Sequence, residues 1–159
     1  MIRELIALDD SSRVWIYQAD RELSYDEIDI VRPNIFSFVN QWSSHGTNVD
    51  AYGNIFHKRF IVLFADDAHQ VSGCSIDSSV QFVKEVGNAL NIDFFNRELF
   101  AFMENEDVFT IHRNDIPHAF ESSKINDYTF VFDNLVSNKA KFLNSWLIPF
   151  GESWHKRFA

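Results

Sequence analysis

Six consecutive apolar residues, Phe60-Ile61-Val62-Leu63-Phe64-Ala65, constrain this chain more than any other feature. Neighbouring side chains of a strand point to opposite faces, so a run with no polar residue at either parity offers neither face to water. It reads as a central strand, covered on both sides. A membrane helix needs about 20 such residues, so no membrane partner is expected.

Local signals place other elements around that strand. Arg13-Val14-Trp15-Ile16-Tyr17-Gln18 is rich in β-branched and aromatic residues and predicts a strand. Ser24 and Glu27 form a capping box, and behind it Ile28, Val31, Ile35, Phe38, Val39 and Trp42 fall on one helical stripe. Pro33 interrupts that stripe and is expected to kink or restart the helix, because an interior proline costs about 3 kcal/mol. His45-Gly46 should end it, glycine being the natural residue just past a helix. Strands then read over residues 49–56 and 59–65, with their connection at Gly53-Asn54 or at His57-Lys58. A polar loop over 66–77 leads to a second helix over 78–90, capped by Ser78 with Gln81. Residues 99–103 and 108–112 predict a hairpin, and a short helix starts at Asp115 with Pro117 in its first turn. A strand over 128–132 and a helix from a Ser137 cap through Trp146 follow. The order β-α-β-β-α-β over residues 13–112 predicts an α+β protein with a ferredoxin-like, split βαβ core. A strand, a helix and an aromatic C-terminal tail are added to it. No linker, repeat or low-complexity segment interrupts the chain, so one domain over residues 1–159 is expected.

A chain of 159 residues buries roughly 70% of its unfolded surface and needs no metal or disulfide to hold a core. Its 17 Phe point to a core built from rings, with some left for a groove or a partner surface. The 14 basic residues stand against 23 acidic ones, a net charge of −9, and that field repels a polyanion. His57-Lys58-Arg59 and His155-Lys156-Arg157 are the compact basic clusters, each too short to argue for nucleic acid. Cys74 is the single cysteine, which excludes an internal disulfide and a multi-cysteine zinc site. One thiol suits a reducing compartment, and Met1-Ile2-Arg3-Glu4-Leu5 lacks a secretory start, so a soluble cytoplasmic protein is expected.

The stretch Ser72-Gly73-Cys74-Ser75-Ile76-Asp77-Ser78 is the most unusual for chemistry. It gathers a thiol, hydroxyls, a glycine and a carboxylate where a helix begins, and free N–H groups at a helix start attract anions and favour a thiolate. Gly73, Ser75, Asp77 and Ser78 are thus candidates for an anion site, and Cys74 for a nucleophile with His69 or a distant histidine as base. Against this stands the plain alternative of capping residues and a small buried thiol. The six histidines include no HExxH and no metal-ligand spacing, so no metal or other cofactor is expected. At the C-terminus, Trp154 and Phe158 stand four apart and should face one way, docking the tail on its own domain or on a groove or dimer contact.

Several blocks occur in order: Tyr17-Gln18 with Arg21, His45-Gly46, Arg59-Phe60-Ile61-Val62-Leu63, and Gly73-Cys74-Ser75-Ile76-Asp77-Ser78-Ser79. Val131-Phe132-Asp133-Asn134-Leu135-Val136 and Glu152-Ser153-Trp154-His155 complete the set. Together they resemble a family of short, uncharacterised bacterial proteins often catalogued as "ABC transporter ATPase". The resemblance spans nearly the whole chain, with residues 73–79 and 152–158 its most specific parts and Pro33 a departure. The residues do not support the ATPase label. Gly46, Gly53, Gly73, Gly87 and Gly151 include no pair five apart, and none is followed by Lys, so no GxxxxGK[ST] phosphate cradle can be drawn. Val71-Ser72-Gly73-Cys74-Ser75 faintly echoes the LSGGQ signature, which works only against such a cradle. Hydrolysis of ATP by a P-loop mechanism is rejected. The expectation is a binding or interaction module for a small anionic ligand or a protein partner, with a homodimer possible. Arg59, His45, Asn134, Trp154 and His155 join the 73–78 loop as binding candidates. The alternative is a small enzyme using Cys74, with His45, His69 or His155 as base and Arg59 as an anion contact.

Overall fold

The computed structural model describes residues 4–42, 50–66 and 73–159, with residues 73–75 described by backbone alone. Its strands form two antiparallel sheets. Strands β1 (Arg13–Gln18), β2 (Ala51–Phe56) and β3 (Phe60–Ala65) make the first, in the order β1-β3-β2. Strands β4 (Leu99–Glu104), β5 (Asp107–His112), β6 (Phe130–Phe132) and β7 (Leu147–Pro149) make the second, in the order β5-β4-β6-β7. Helices α1 (Tyr25–Trp42) and α2 (Gly73–Leu90) belong to the first half of the chain, α3 (Ile116–Glu121) and α4 (Lys139–Ser145) to the second.

The apolar strand sits where its sequence requires. All six residues of β3 are buried, and β3 pairs with β1 on one edge and β2 on the other. Ile61, Leu63 and Ala65 point to a cluster with Ile28, Val31, Ile35 and Val39 of α1 and Val83 and Val86 of α2. Phe60, Val62 and Phe64 point the other way, to Ala101 of β4, Phe132 of β6, and Phe142 and Trp146 of the α4 segment. A third cluster lies on the far side of the second sheet, where Phe100, Phe102, Ile111 and Val131 meet Ile116, Ala119 and Phe150. The protein is thus α+β, with two sheets face to face and helices on both outer sides.

The four-stranded ferredoxin-like sheet expected from the element order does not form. β1 and β2 flank β3 as in a split βαβ unit, but β4 does not join β1. The reason is local. Asn105 and Glu106 both take positive φ (51° and 70°), a two-residue turn that folds β4 directly onto β5, and β6 takes the other edge at Phe102 and Met103. The same chemistry closes the β2–β3 hairpin at His57 and Lys58 (φ 55° and 56°), which settles the connection away from Gly53. Gly53 has another duty: a Cβ there would lie 2.8 Å from Ile35 and from Leu63, so its absence lets α1 lie on β2.

Other expectations resolve one by one. The capping box forms, with Glu27 N–H donating to Ser24 Oγ (3.1 Å) and Ser24 N–H to Glu27 Oε1 (2.9 Å). Arg21 grips the same carboxylate and, with the Ser24 N–H, holds its pKa at about 2. Pro33 neither restarts nor ends α1, which runs unbroken past it. Pro33 faces solvent, where water can serve the carbonyl it leaves unbonded, while Ile28, Val31, Ile35, Val39 and Trp42 anchor the opposite face. The second helix begins at Gly73, so residues 73–78 are its first turns and not a loop, and Ser78 is no cap. Asn138, not Ser137, caps α4 by accepting from the Lys141 N–H (2.8 Å). His45-Gly46, expected to end α1, lies outside the described residues. Among those described, no helix is long and apolar enough to cross a membrane.

Candidate ligand-binding cleft

Strand β1 is an edge strand, and β6 covers only the far half of β4, leaving Leu99–Ala101 without a strand partner on that side among the described residues. Between these two uncovered edges lies a cleft of about 820 Å³. All six residues of β1 line it, with Ile76, Val80 and Lys84 of α2 on one wall and Leu99, Phe100 and Ala101 of β4 on the other. The Phe94–Arg97 loop closes one end, residues 134–137 run along β1 from Gln18 to Val14, and Trp154 and His155 stand over the β4 side. A volume of this order is that of a small-molecule or peptide site, for which roughly 300–1,000 Å³ is usual.

A chain of hydrogen bonds fixes the polar groups of the cleft. Gln18 Nε2 donates to the Leu99 carbonyl (3.1 Å), tying the two edges together. Asn134 Nδ2 donates to Gln18 Oε1 (2.9 Å), and Trp146 Nε1 donates to Asn134 Oδ1 (2.9 Å). Both amide orientations are set by that sequence of donors. On the α2 side, the Tyr17 hydroxyl bonds Ser79 Oγ (2.9 Å), whose own proton goes to the Ile76 carbonyl (2.7 Å). Tyr17 therefore donates, and burial pushes its pKa up, an effect the Ser79 bond partly offsets.

The C-terminal residues complete the wall as two 3₁₀ turns, Phe150–Glu152 and Trp154–Phe158. Ser153 caps the second and bonds His155 Nδ1 through the same hydroxyl oxygen. The imidazole stacks on Trp154 (3.7 Å between ring centres) and meets Phe100 edge-on (4.7 Å). Trp154 Nε1 donates to Asp133 Oδ1 (3.0 Å). Burial lowers the His155 pKa to about 4, against the pull of Asp133 and with the push of Arg157, so the ring is neutral at pH 7. Its Nδ1 is taken, which leaves Nε2 as the atom able to meet a ligand in the cleft.

Charge is distributed unevenly. The described lining holds Arg13, Lys84 and Arg97 and no carboxylate. None of the three forms an ion pair among the described residues. Arg13 lies over the Trp15 ring (4.9 Å) at one end, and Lys84 lies over Phe95 (5.8 Å) at the other. No family model, curated protein or solved structure matches this chain.

Of the residues singled out in the sequence, Asn134, Trp154 and His155 meet in this cleft. Arg59 does not: it is buried behind β1, where Nε and Nη2 donate to the Ala19 and Asp20 carbonyls (3.3 and 3.1 Å). That use of its fork holds the end of β1, and it offers no anion contact in the cleft. Asp77 is exposed on α2 and, like Ser78, is not among the lining residues. Gly73, Cys74 and Ser75 belong to the first turn of α2, and their side chains, like His45 and His69 entirely, lie outside the described residues. Among those described, no group of three His, Cys, Asp or Glu side chains comes together to hold a metal. Sequence reasoning missed Arg13, Lys84 and Arg97, which come from three separate elements and share no spacing. Gln18 carried a signal, as half of the Tyr17-Gln18 pair.

Proposed function

We propose that this chain is a binding module whose ligand carries negative charge on an apolar body and sits in the cleft between β1 and β4. One observation supports it above the rest. On a protein with 23 acidic residues, the described cleft lining presents three cations and no carboxylate. Chance would scatter acidic side chains there too, and their exclusion leaves a field complementary to an anion. Trp15, Phe95, Phe100 and Trp154 supply flat apolar walls, while Asn134, Gln18 and His155 supply fixed polar contacts, the usual make-up of a ligand site. The anion site expected at residues 73–78 is thereby moved to the neighbouring cleft, which those residues approach through Ile76. Kinship with the short bacterial proteins belongs to the same proposal. Parts of three of the blocks behind that resemblance line the cleft: Tyr17-Gln18, Phe132 with Asn134-Leu135-Val136, and Trp154-His155.

The test uses anilinonaphthalene sulfonate, a flat anion that fluoresces in apolar sites. The unaltered chain should give a saturable, single-site enhancement, and the Arg13→Glu, Arg97→Glu double variant should weaken it roughly tenfold or more, as reversing two contact charges does. Equal binding by both proteins, or none by either, refutes the proposal.

A further inference from the structure

We infer that the ligand is an extended acidic segment of polypeptide, which enters the cleft as a fourth strand of the first sheet along the outer edge of β1. This rests on the binding role just proposed and names its ligand class. Backbone alternation supplies the first ground. In an antiparallel ladder, alternate residues turn both N–H and C=O to the same edge. Val14 N–H donates outward to the Ser137 carbonyl, and Ala19 N–H donates inward to the Arg59 carbonyl. Val14, Ile16 and Gln18 therefore face the cleft with their backbone groups, while Arg13, Trp15 and Tyr17 bond β3. Residues 134–138 meet β1 at both ends, Ser137 and Asn138 at its first residues through the Val14 bond and a single bridge from Arg13 to Asn138, and Asn134 at the Gln18 side chain (2.9 Å), and they leave the Ile16 backbone between them unbonded. Ile16 has no backbone partner on the outer edge among the described residues. An edge left open inside a lined cleft is a template for strand addition.

Charge chooses the occupant. Arg13 stands at the start of β1, and Lys84 and Arg97 stand beside Phe95, which meets Tyr17 near the end of the strand (5.6 Å between rings). Cations at both ends of a six-residue strand select a segment with acidic residues about four positions apart, since a strand rises roughly 3.3 Å per residue. A second copy of this chain pairing through β1 would set Arg13 and Arg97 against their own kind, which like-charge juxtaposition disfavours. The intervening side chains would alternate between Val80 and Tyr17 on the helical wall and Ala101 and Phe132 on the other, so small β-branched residues suit them. The net charge of −9 repels the partner at long range, but contacts inside the Debye length of about 8 Å are governed by the three local cations.

The probe is the blocked peptide Glu-Val-Thr-Val-Glu, titrated into the full chain while amide hydrogen exchange is followed residue by residue. Saturable binding should slow exchange at Ile16 and Gln18 and leave Trp15 and Tyr17 unchanged, since those are already paired with β3. Arg13→Ala and Arg97→Ala should each weaken it roughly two- to fivefold, the span of an exposed ion pair, and the Lys-Val-Thr-Val-Lys peptide should not bind. Ile16→Pro removes the outward donor at a position where an edge strand tolerates proline, and should abolish peptide binding. Should that variant fail to fold, the exchange pattern in the unaltered chain still decides. If the naphthalene sulfonate binds and the peptide does not, strand addition is overturned while the anion site stands; if neither binds, both fall. Peptide binding without protection at Ile16, or protection that appears only with dimerisation, also overturns it.

Discussion

Acid should weaken this protein through His155 at a pH where most surface histidines are harmless. The ring is 3% exposed, held between Trp154 and Phe100, and its pKa is lowered to about 4 from an ordinary 6.5. The unfolded chain takes up a proton as pH drops below 6.5, whereas the folded chain does not until about 4. Protons therefore favour the unfolded state across that window, and stability present above pH 6.5 is lost on the way down to about 4. The linkage integral gives a loss of roughly 1 kcal/mol by about pH 5.5 and roughly 2–3 kcal/mol by about pH 4.5. Asp133 and Arg157, the charged groups that face the ring, act in opposite directions, so burial decides the sign. Glu27 is another strongly lowered group, and its contribution fades only between about 4.5 and about 2. Urea unfolding of the parent chain and of His155→Gln at pH 7 and pH 4.5 measures the effect. The parent should lose about 2 kcal/mol more than the variant between the two pH values. Parallel losses in the two proteins would refute the reasoning, because the titration would then belong to other groups.

Three further outcomes are expected. Gly53→Val should cost about 1–3 kcal/mol, as overpacking does, because its Cβ would meet Ile35 and Leu63 at 2.8 Å; an unchanged urea midpoint would show that α1 can lift off β2. Deleting residues 152–159 should lower stability by several kcal/mol, since Trp154 and Phe158 pack on Phe100 (5.6 and 5.3 Å) and burial of a large apolar side chain contributes roughly 1.5–3 kcal/mol. The same midpoint with and without the tail would mean that these rings contribute nothing. The chain should release no phosphate from Mg-ATP, for want of a phosphate cradle among the five glycines, and turnover that saturates with ATP would contradict that.

Elements whose cause is local were legible in the sequence. The Ser24–Glu27 capping box fixed the start of α1, and the β-branched and aromatic content of residues 13–18 marked β1 residue for residue. Rings four apart in the C-terminal tail implied a docked tail, and Trp154 and Phe158 do pack on the domain. Where two local signals competed, the sequence misled. Ser78 with Gln81 looked like a helix start, but the helix had begun at Gly73. Pro33 allowed a kink or a restart, and the helix does not restart there because its buried stripe continues on both sides.

Taken alone, the chain of residues determined that β3 must be central and covered on both faces, because six apolar side chains leave no parity for water. It could not say what covers them. That was decided by which edges find partners: the tight turn at Asn105-Glu106 commits β4 to β5, β6 takes part of its other edge, and β1 keeps an edge with no strand partner among the described residues. The cleft is a consequence of that pairing. Its cations come from positions 13, 84 and 97, and its hydrogen-bonded base from 18, 134 and 146, residues brought together only by long-range strand pairing and the facing of two sheets. Local propensity acts over a few residues, so it can write the elements; only packing across the whole chain places Asn134 beside Gln18.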